Sequence, residues 1–197
     1  MSSTTLRELS GLDQAPAALA GATLVLVDYQ NTYTTGVLEL DGWRAALDAA
    51  ADLLARARAA GAAVIHVVND GGEGTPYDIR AEIGAIHPSV APLEGEPVVV
   101  KQAPDAFHGT DLAEQLDAAG RKDVVIAGFM THMCVAFTAA GAFLRGNRPT
   151  VVADACATRP LASAAGEGLT ADQLHRAALA TIGDLYAVVV PTADELG

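Results

Sequence analysis

Short apolar runs rich in β-branched residues alternate along the chain with longer alanine-rich stretches whose apolar positions recur at helical spacing. Thr23 to Val27, Ala63 to Val68, Val98 to Val100, Val124 to Ala127, Thr150 to Val152 and Tyr186 to Val190 are almost continuously apolar. A strand covered on both faces has this character, because neither face meets water. Between the first two runs, Trp43 to Ala60 places Leu47, Ala50, Leu54 and Ala57 on one helical face and sets Asp52 one turn before Arg56. Asp41 is placed to cap the start of this helix and Gly61 its end. Met133 to Leu144 reads as a helix of small residues, and Thr170 with Gln173 forms a capping-box pattern ahead of Leu174 to Ile182. Such an alternation predicts a three-layer α/β/α fold around a six-stranded, mainly parallel sheet.

Two segments follow neither period. Asn69 to Pro97 is rich in Gly and Pro, and Ala157 to Gly168 in Gly and small residues; both are expected to be loops at a functional edge. No repeat, low-complexity linker or shift of composition divides the chain. One domain over residues 1–197 is therefore expected, with residues 1–20 as an N-terminal extension.

Composition narrows the function classes. Of 197 residues, 51% are hydrophobic and 18% charged, which suits one large core. The formal net charge of −12 repels a phosphate backbone and the Lys and Arg residues are scattered, so no nucleic-acid partner is expected. Met1 to Ser10 contain one Arg and no apolar run of the signal-peptide kind, and no segment has the apolar length to span a bilayer. A cytoplasmic protein without a membrane partner is expected. In that compartment Cys134 and Cys156 read as free thiols.

Candidate chemistry comes from the residues just after the strands, because open parallel sheets bind ligands beyond their carboxyl edge. Asp28 follows the first strand and Lys101 the third. The fourth continues through Gly128, Phe129 and Met130 to Cys134, at the expected start of a helix. The helix dipole and a protonated Lys101 would favour the Cys134 thiolate, while Asp28 could take the thiol proton and return it to a leaving amine. Backbone N–H groups at the same turn could receive an oxyanion. Singly, these residues have ordinary structural roles as a turn cap, a solvated lysine and a small core residue. Together they point to acyl transfer to a cysteine. Gln30, Phe107 and His132 are the candidate substrate-binding residues. His66, inside a strand, and Cys156 read as structural.

Four segments also carry a family resemblance. They are Val27 to Asn31 (VDYQN); Gly95 to Lys101 followed by Phe107 and Thr110 to Leu112; Ala127 to Val135 (AGFMTHMCV); and Val151 to Thr158 (VVADACAT). In this order the chain resembles the isochorismatase-like cysteine hydrolases from Thr23 to about Thr192. The resemblance implies that fold, with Asp28 as general base, Lys101 as the positioning and polarising residue, and Cys134 as nucleophile of a covalent intermediate. It also implies a cis peptide at Phe129–Met130, an oxyanion hole from the N–H groups of Met130 and Cys134, and a homodimer or homotetramer. Relatives of the nicotinamidase kind carry an Asp-x-His cluster that Asn69 to Arg80 lacks, so neither a metal nor another cofactor is expected. Isochorismatases that cleave a vinyl ether typically lack the cysteine, so its presence here favours an amide, ureido or cyclic amide C–N bond of a small molecule. The alternatives are hydrolysis of another small metabolite, an idle oligomeric binder of small molecules, and, least favoured, a nucleotide-binding protein. Against the last, the loop Asp28 to Gly36 lacks the glycine fingerprint for phosphate.

Overall fold

The computed structural model describes residues 3–197; Met1 and Ser2, the first two of the expected extension, lie outside the described residues. In chain order the elements are α1 (Leu6–Leu9), β1 (Ala22–Val27), α2 (Trp43–Ala59), β2 (Ala63–Asn69), β3 (Val98–Lys101), α3 (Leu112–Ala119) and β4 (Asp123–Gly128). There follow α4 (Ala136–Leu144), β5 (Arg148–Val152), β6 (Leu161–Ala162), β7 (Gly168–Leu169), α5 (Ala171–Leu185) and β8 (Val188–Val190).

Six strands form one sheet in the order β3-β2-β1-β4-β5-β8, every neighbouring pair parallel. The α/β architecture is thus the one the alternation predicts. β1 lies inside the sheet with all six residues buried, which is why its sequence shows no polar face. From β1 the chain builds outward to β2 and β3, then returns to place β4 on the other side of β1. The direction of winding reverses between β1 and β4, and such a switch point opens a crevice at the carboxyl edge. Asp28 and the Phe129–Met130 segment leave the two strands that border it.

Close approach at this crevice depends on Gly128. It pairs with Val27, and a Cβ built on it would lie 2.2 Å from the Val27 carbonyl oxygen. No side chain fits there.

Several local expectations are corrected. Asp41 does not cap α2: the capping position is Gly42, in the left-handed conformation, and the Asp41 N–H instead donates to the Thr158 carbonyl. Gly61, with φ of 72°, does stand just past the end of α2, and Arg56 pairs with Asp52 at 2.7 Å. The capping box of Thr170 and Gln173 is present, but α5 begins at Ala171 and runs on through Leu185, which shortens the last strand. Two helices, α1 and α3, have no counterpart in the sequence reading, since each is too short to display a repeating apolar face. The Ala157 to Gly168 loop carries β6 and leads into β7, with which it pairs as a short antiparallel hairpin.

Residues of the 3–20 segment pack onto the domain. Arg7 is buried and donates to the Leu185 and Asp13 carbonyls, and the Ala17 N–H donates to the Thr150 hydroxyl. His66 is structural, as expected. Its Nε2 lies 3.0 Å from Glu96 Oε2, and Arg58 grips the same carboxylate through Nε and an NH2 nitrogen at 2.8 and 2.7 Å. Arg58, aided by the Leu93 N–H and His66, holds Glu96 down to about 2. Among the described residues no helix is long and apolar enough to cross a membrane.

Candidate active site

Asp28, Lys101 and Cys134 meet at the carboxyl edge of the sheet. Lys101 Nζ lies 2.7 Å from Asp28 Oδ2 and 3.2 Å from Cys134 Sγ, so the ammonium bridges acid and thiol. Their residue exposures are 0% for Asp28, 1% for Lys101 and 8% for Cys134. Each comes from a different part of the fold. β3 delivers Lys101 as its last residue, in register with Asn69 of β2, whose Oδ1 accepts from Lys101 Nζ at 3.4 Å. Asp28 turns the chain out of β1 with φ of 54°. That left-handed conformation is uncommon for a residue with a side chain and costs about 1–3 kcal/mol. Its N–H donates to Val67 of β2, which holds the turn.

Cys134 comes from the turn that follows β4. The Phe129–Met130 peptide is cis, and after it Thr131–Val135 form a wide helical turn running directly into α4. The Val135 N–H reaches back five residues to the Met130 carbonyl at 3.3 Å, and the Met133 N–H donates to the same oxygen at 3.0 Å. The Met130 N–H itself has no acceptor among the described residues. Cys134 therefore sits in the first turn of a helical run, next to an uncommitted backbone donor.

Electrostatics correct one expectation. Burial first, and then Asp28, push the Cys134 thiol up to about 12, against the opposing pull of Lys101. The low-pKa thiolate expected at a helix start is not what this site holds at rest: the charged sulfur would lose its hydration beside a carboxylate. Burial also raises Asp28 above the ordinary carboxylate range, although Lys101 and Cys134 pull it down. For Lys101 burial works against the ammonium, but Asp28 and Cys134 outweigh it and the net direction is up. The 2.7 Å contact pairs Asp28 with Lys101 as carboxylate and ammonium, beside a thiol that burial keeps un-ionised. Among the described residues neither Asp28 oxygen has a hydrogen bond of good geometry, Oδ2 meeting Lys101 Nζ as a close ion pair, so the carboxylate keeps accepting capacity for a proton.

The candidate binding residues fare differently. Gln30, expected at the substrate, is fully buried with its amide occupied. Its Nε2 donates to the Asn69 and Gly84 carbonyls at 3.0 and 2.7 Å, and its Oε1 accepts from the Asn69 N–H at 2.8 Å. Gln30 ties the 69–97 loop to the end of β1 and has no group left for a ligand. Phe107 packs against Gly141, where an added Cβ would meet its ring at 2.8 Å, and beneath the Arg145 guanidinium. Gly141 lies seven residues, about two turns, beyond Cys134, so Phe107 belongs to the flank of α4 and not to the triad. His132 is half-buried beside Cys134. Its Nδ1 pairs with the Thr158 hydroxyl at 2.5 Å, and burial, aided by Arg159, lowers its pKa. Cys156 is buried with its Sγ on the Val152 carbonyl at 3.3 Å; burial pushes it up to about 12, as suits an inert thiol.

Tyr33 and Tyr77, missed in the sequence, pair through their hydroxyls at 3.1 Å beside this edge: the Tyr33 ring meets Phe129 edge-on at 5.8 Å, and the loop that carries Tyr77 bonds the Lys101 carbonyl through the Asp70 N–H at 2.9 Å. Their position inside or beside the irregular loops hid them. Asn69 could have been found, since it ends β2 at the same edge. Among the described residues no group of three or more His, Cys, Asp or Glu is placed to hold a metal ion.

Fold and site together define a parallel α/β protein with a buried acid–lysine–thiol cluster at its topological switch point. The sequence profile of the isochorismatase domain matches residues 22–194. The crystal structure of an isochorismatase from Pseudomonas putida KT2440 superposes with a TM-score of 0.94 at 40% identity, covering 98% of this chain and 99% of that one. A secreted isochorismatase effector of Verticillium dahliae is 33% identical over 97% of this chain and 98% of its own length. The maleamate amidohydrolase of Pseudomonas putida is 34% identical over 69% of this chain and 72% of its own. The chain belongs to the isochorismatase family and is a hydrolase.

Proposed function

We propose that the protein is a cysteine amidohydrolase that cleaves a C–N bond of a small amide, ureido or cyclic amide compound through a covalent acyl intermediate on Cys134. The observation that carries this reading is Lys101 Nζ standing between Asp28 Oδ2 (2.7 Å) and Cys134 Sγ (3.2 Å) in a buried site. The amidohydrolase relative supports the bond type.

The chemistry follows from the resting charges. As the Cys134 sulfur attacks the scissile carbonyl carbon, Asp28 accepts its proton, and Lys101 stabilises the charge developing on sulfur. The carbonyl oxygen becomes an oxyanion next to the free Met130 N–H, with the Cys134 N–H as the second donor. Collapse of the tetrahedral adduct breaks the C–N bond, and protonated Asp28 returns the proton to the departing amine. Water then adds to the thioester, giving its proton to Asp28, and the acid leaves as the thiol is restored. Because the thiol does not ionise at rest, its deprotonation is coupled to attack.

A homodimer or homotetramer is supported by exposed Phe137 and Leu144, which share one face of α4 at 51% and 78% exposure. A cytoplasmic setting suits two free thiols, although the fungal relative is secreted by name; fractionation of the native host decides it. The test of the main reading is Cys134→Ala, assayed by ammonia release on a panel of small amides. Turnover should fall at least about 1,000-fold; unchanged turnover would rule the cysteine mechanism out.

A further inference from the structure

Two phenols flank the triad and take no part in the steps above. Tyr33 is fully buried, and its hydroxyl lies 3.1 Å from that of Tyr77. Their neighbours build the pairing. The Thr32 hydroxyl, one residue before Tyr33, bonds the carbonyl of Pro76, one residue before Tyr77, at 2.6 Å. The Gly71 N–H donates to the Tyr77 carbonyl at 3.2 Å. A Cβ on Gly71 would lie 2.9 Å from Thr75 Oγ1 and 3.1 Å from Tyr77 Cβ, so the loop closes on Tyr77 because residue 71 has no side chain. The Tyr33 ring meets both Tyr77 and Phe129 edge-on at 5.8 Å, and Phe129 leads into the Met130 oxyanion segment.

Burial keeps both phenols protonated, so the pair holds two O–H groups. One proton fills the 3.1 Å contact; the other has no acceptor among the described residues. Tyr33 is fully buried and Tyr77 half-buried, so satisfying the deeper group directs the Tyr33 O–H to the Tyr77 oxygen. The Tyr77 O–H is then the spare donor. Its loop is tied to the triad's edge: the Asp70 N–H donates to the Lys101 carbonyl at 2.9 Å, and Gly71, the next residue, bonds Tyr77.

We propose that Tyr77, with Tyr33 behind it, determines specificity by donating a hydrogen bond to a second carbonyl or carboxylate oxygen carried by the substrate beside its scissile amide. The proposal rests on the amidohydrolase reading, in which R–CO–NH2 and water give R–COOH and NH3. It adds that R bears an oxygen acceptor. A site with a donor aimed at the ligand discriminates sharply, because an analogue without the acceptor leaves that donor unpaired.

The test compares succinamide with pentanamide, in which an ethyl end replaces the second carboxamide of the same length. Binding is measured by calorimetry on the Cys134→Ala protein, where no turnover intervenes. Succinamide should bind at least about tenfold more tightly. Tyr77→Phe, which keeps the ring, should erase that preference in the same background. Tyr33→Phe should lower it by about threefold and keep its direction. Equal affinity for the two amides, no measurable binding of either, or a preference that survives Tyr77→Phe would overturn the proposal. Whether Cys134→Ala abolishes turnover is read separately in the otherwise unaltered enzyme, so either claim can fail alone.

Discussion

Residue scale turns on the protonation states of three side chains. Cys134 at about 12 is a thiol at any physiological pH, and so is Cys156. Native protein treated briefly with iodoacetamide at pH 7.5 should therefore label slowly at both positions, with fast labelling only after unfolding; intact-mass spectra follow both. Rapid native labelling of Cys134 would show a resting thiolate. In the proposed mechanism Asp28 sets the acid side of the activity profile. Burial raises its pKa above the usual carboxylate range, and the ionised form is the one that accepts the thiol proton. Activity should thus fall as pH drops through a midpoint above about 4, which initial rates against pH would reveal. A midpoint at or below the ordinary carboxylate value would contradict the buried-base assignment.

Among elements, the strand ends and the turn after β4 decide the geometry. Gly128 lets β4 close on Val27, and Gly128→Ala should cost about 1–3 kcal/mol or more as the two strands are forced apart. Thermal melts give the stability; loss of activity should exceed the loss of folded protein, because Asp28 and Met130 leave these strands. The triad was legible in the sequence because three runs ending in Asp28, Lys101 and Cys134 must share one edge of a parallel sheet. The resting state of the thiol was not legible. It depends on burial and on the Asp28 charge, and neither follows from spacing. Gln30 shows the same limit: two residues past Asp28 it reads as a ligand contact, yet the 69–97 loop folds back to use every polar atom of its amide. Helices α1 and α3 escaped because four and eight residues display too little of a 3.6-residue period.

For the whole molecule, the alternation of apolar runs and alanine-rich stretches was enough for the layer architecture, since six strands buried on both faces have few other arrangements. It does not say which surface a second copy would meet in the proposed homo-oligomer. Phe137 and Leu144 project from α4, and Phe137→Glu with Leu144→Glu should shift sedimentation toward a 20.1 kDa monomer. An unchanged assembly would place the interface elsewhere. The central claim, that Cys134 forms a covalent acyl intermediate, is tested most directly by acid-quenching the enzyme during turnover of an amide found by ammonia release and weighing the intact protein. The expected result is an added acyl mass that maps to the peptide containing Cys134 and is absent from Cys134→Ala. Steady turnover by Cys134→Ala at the rate of the unaltered enzyme would contradict it.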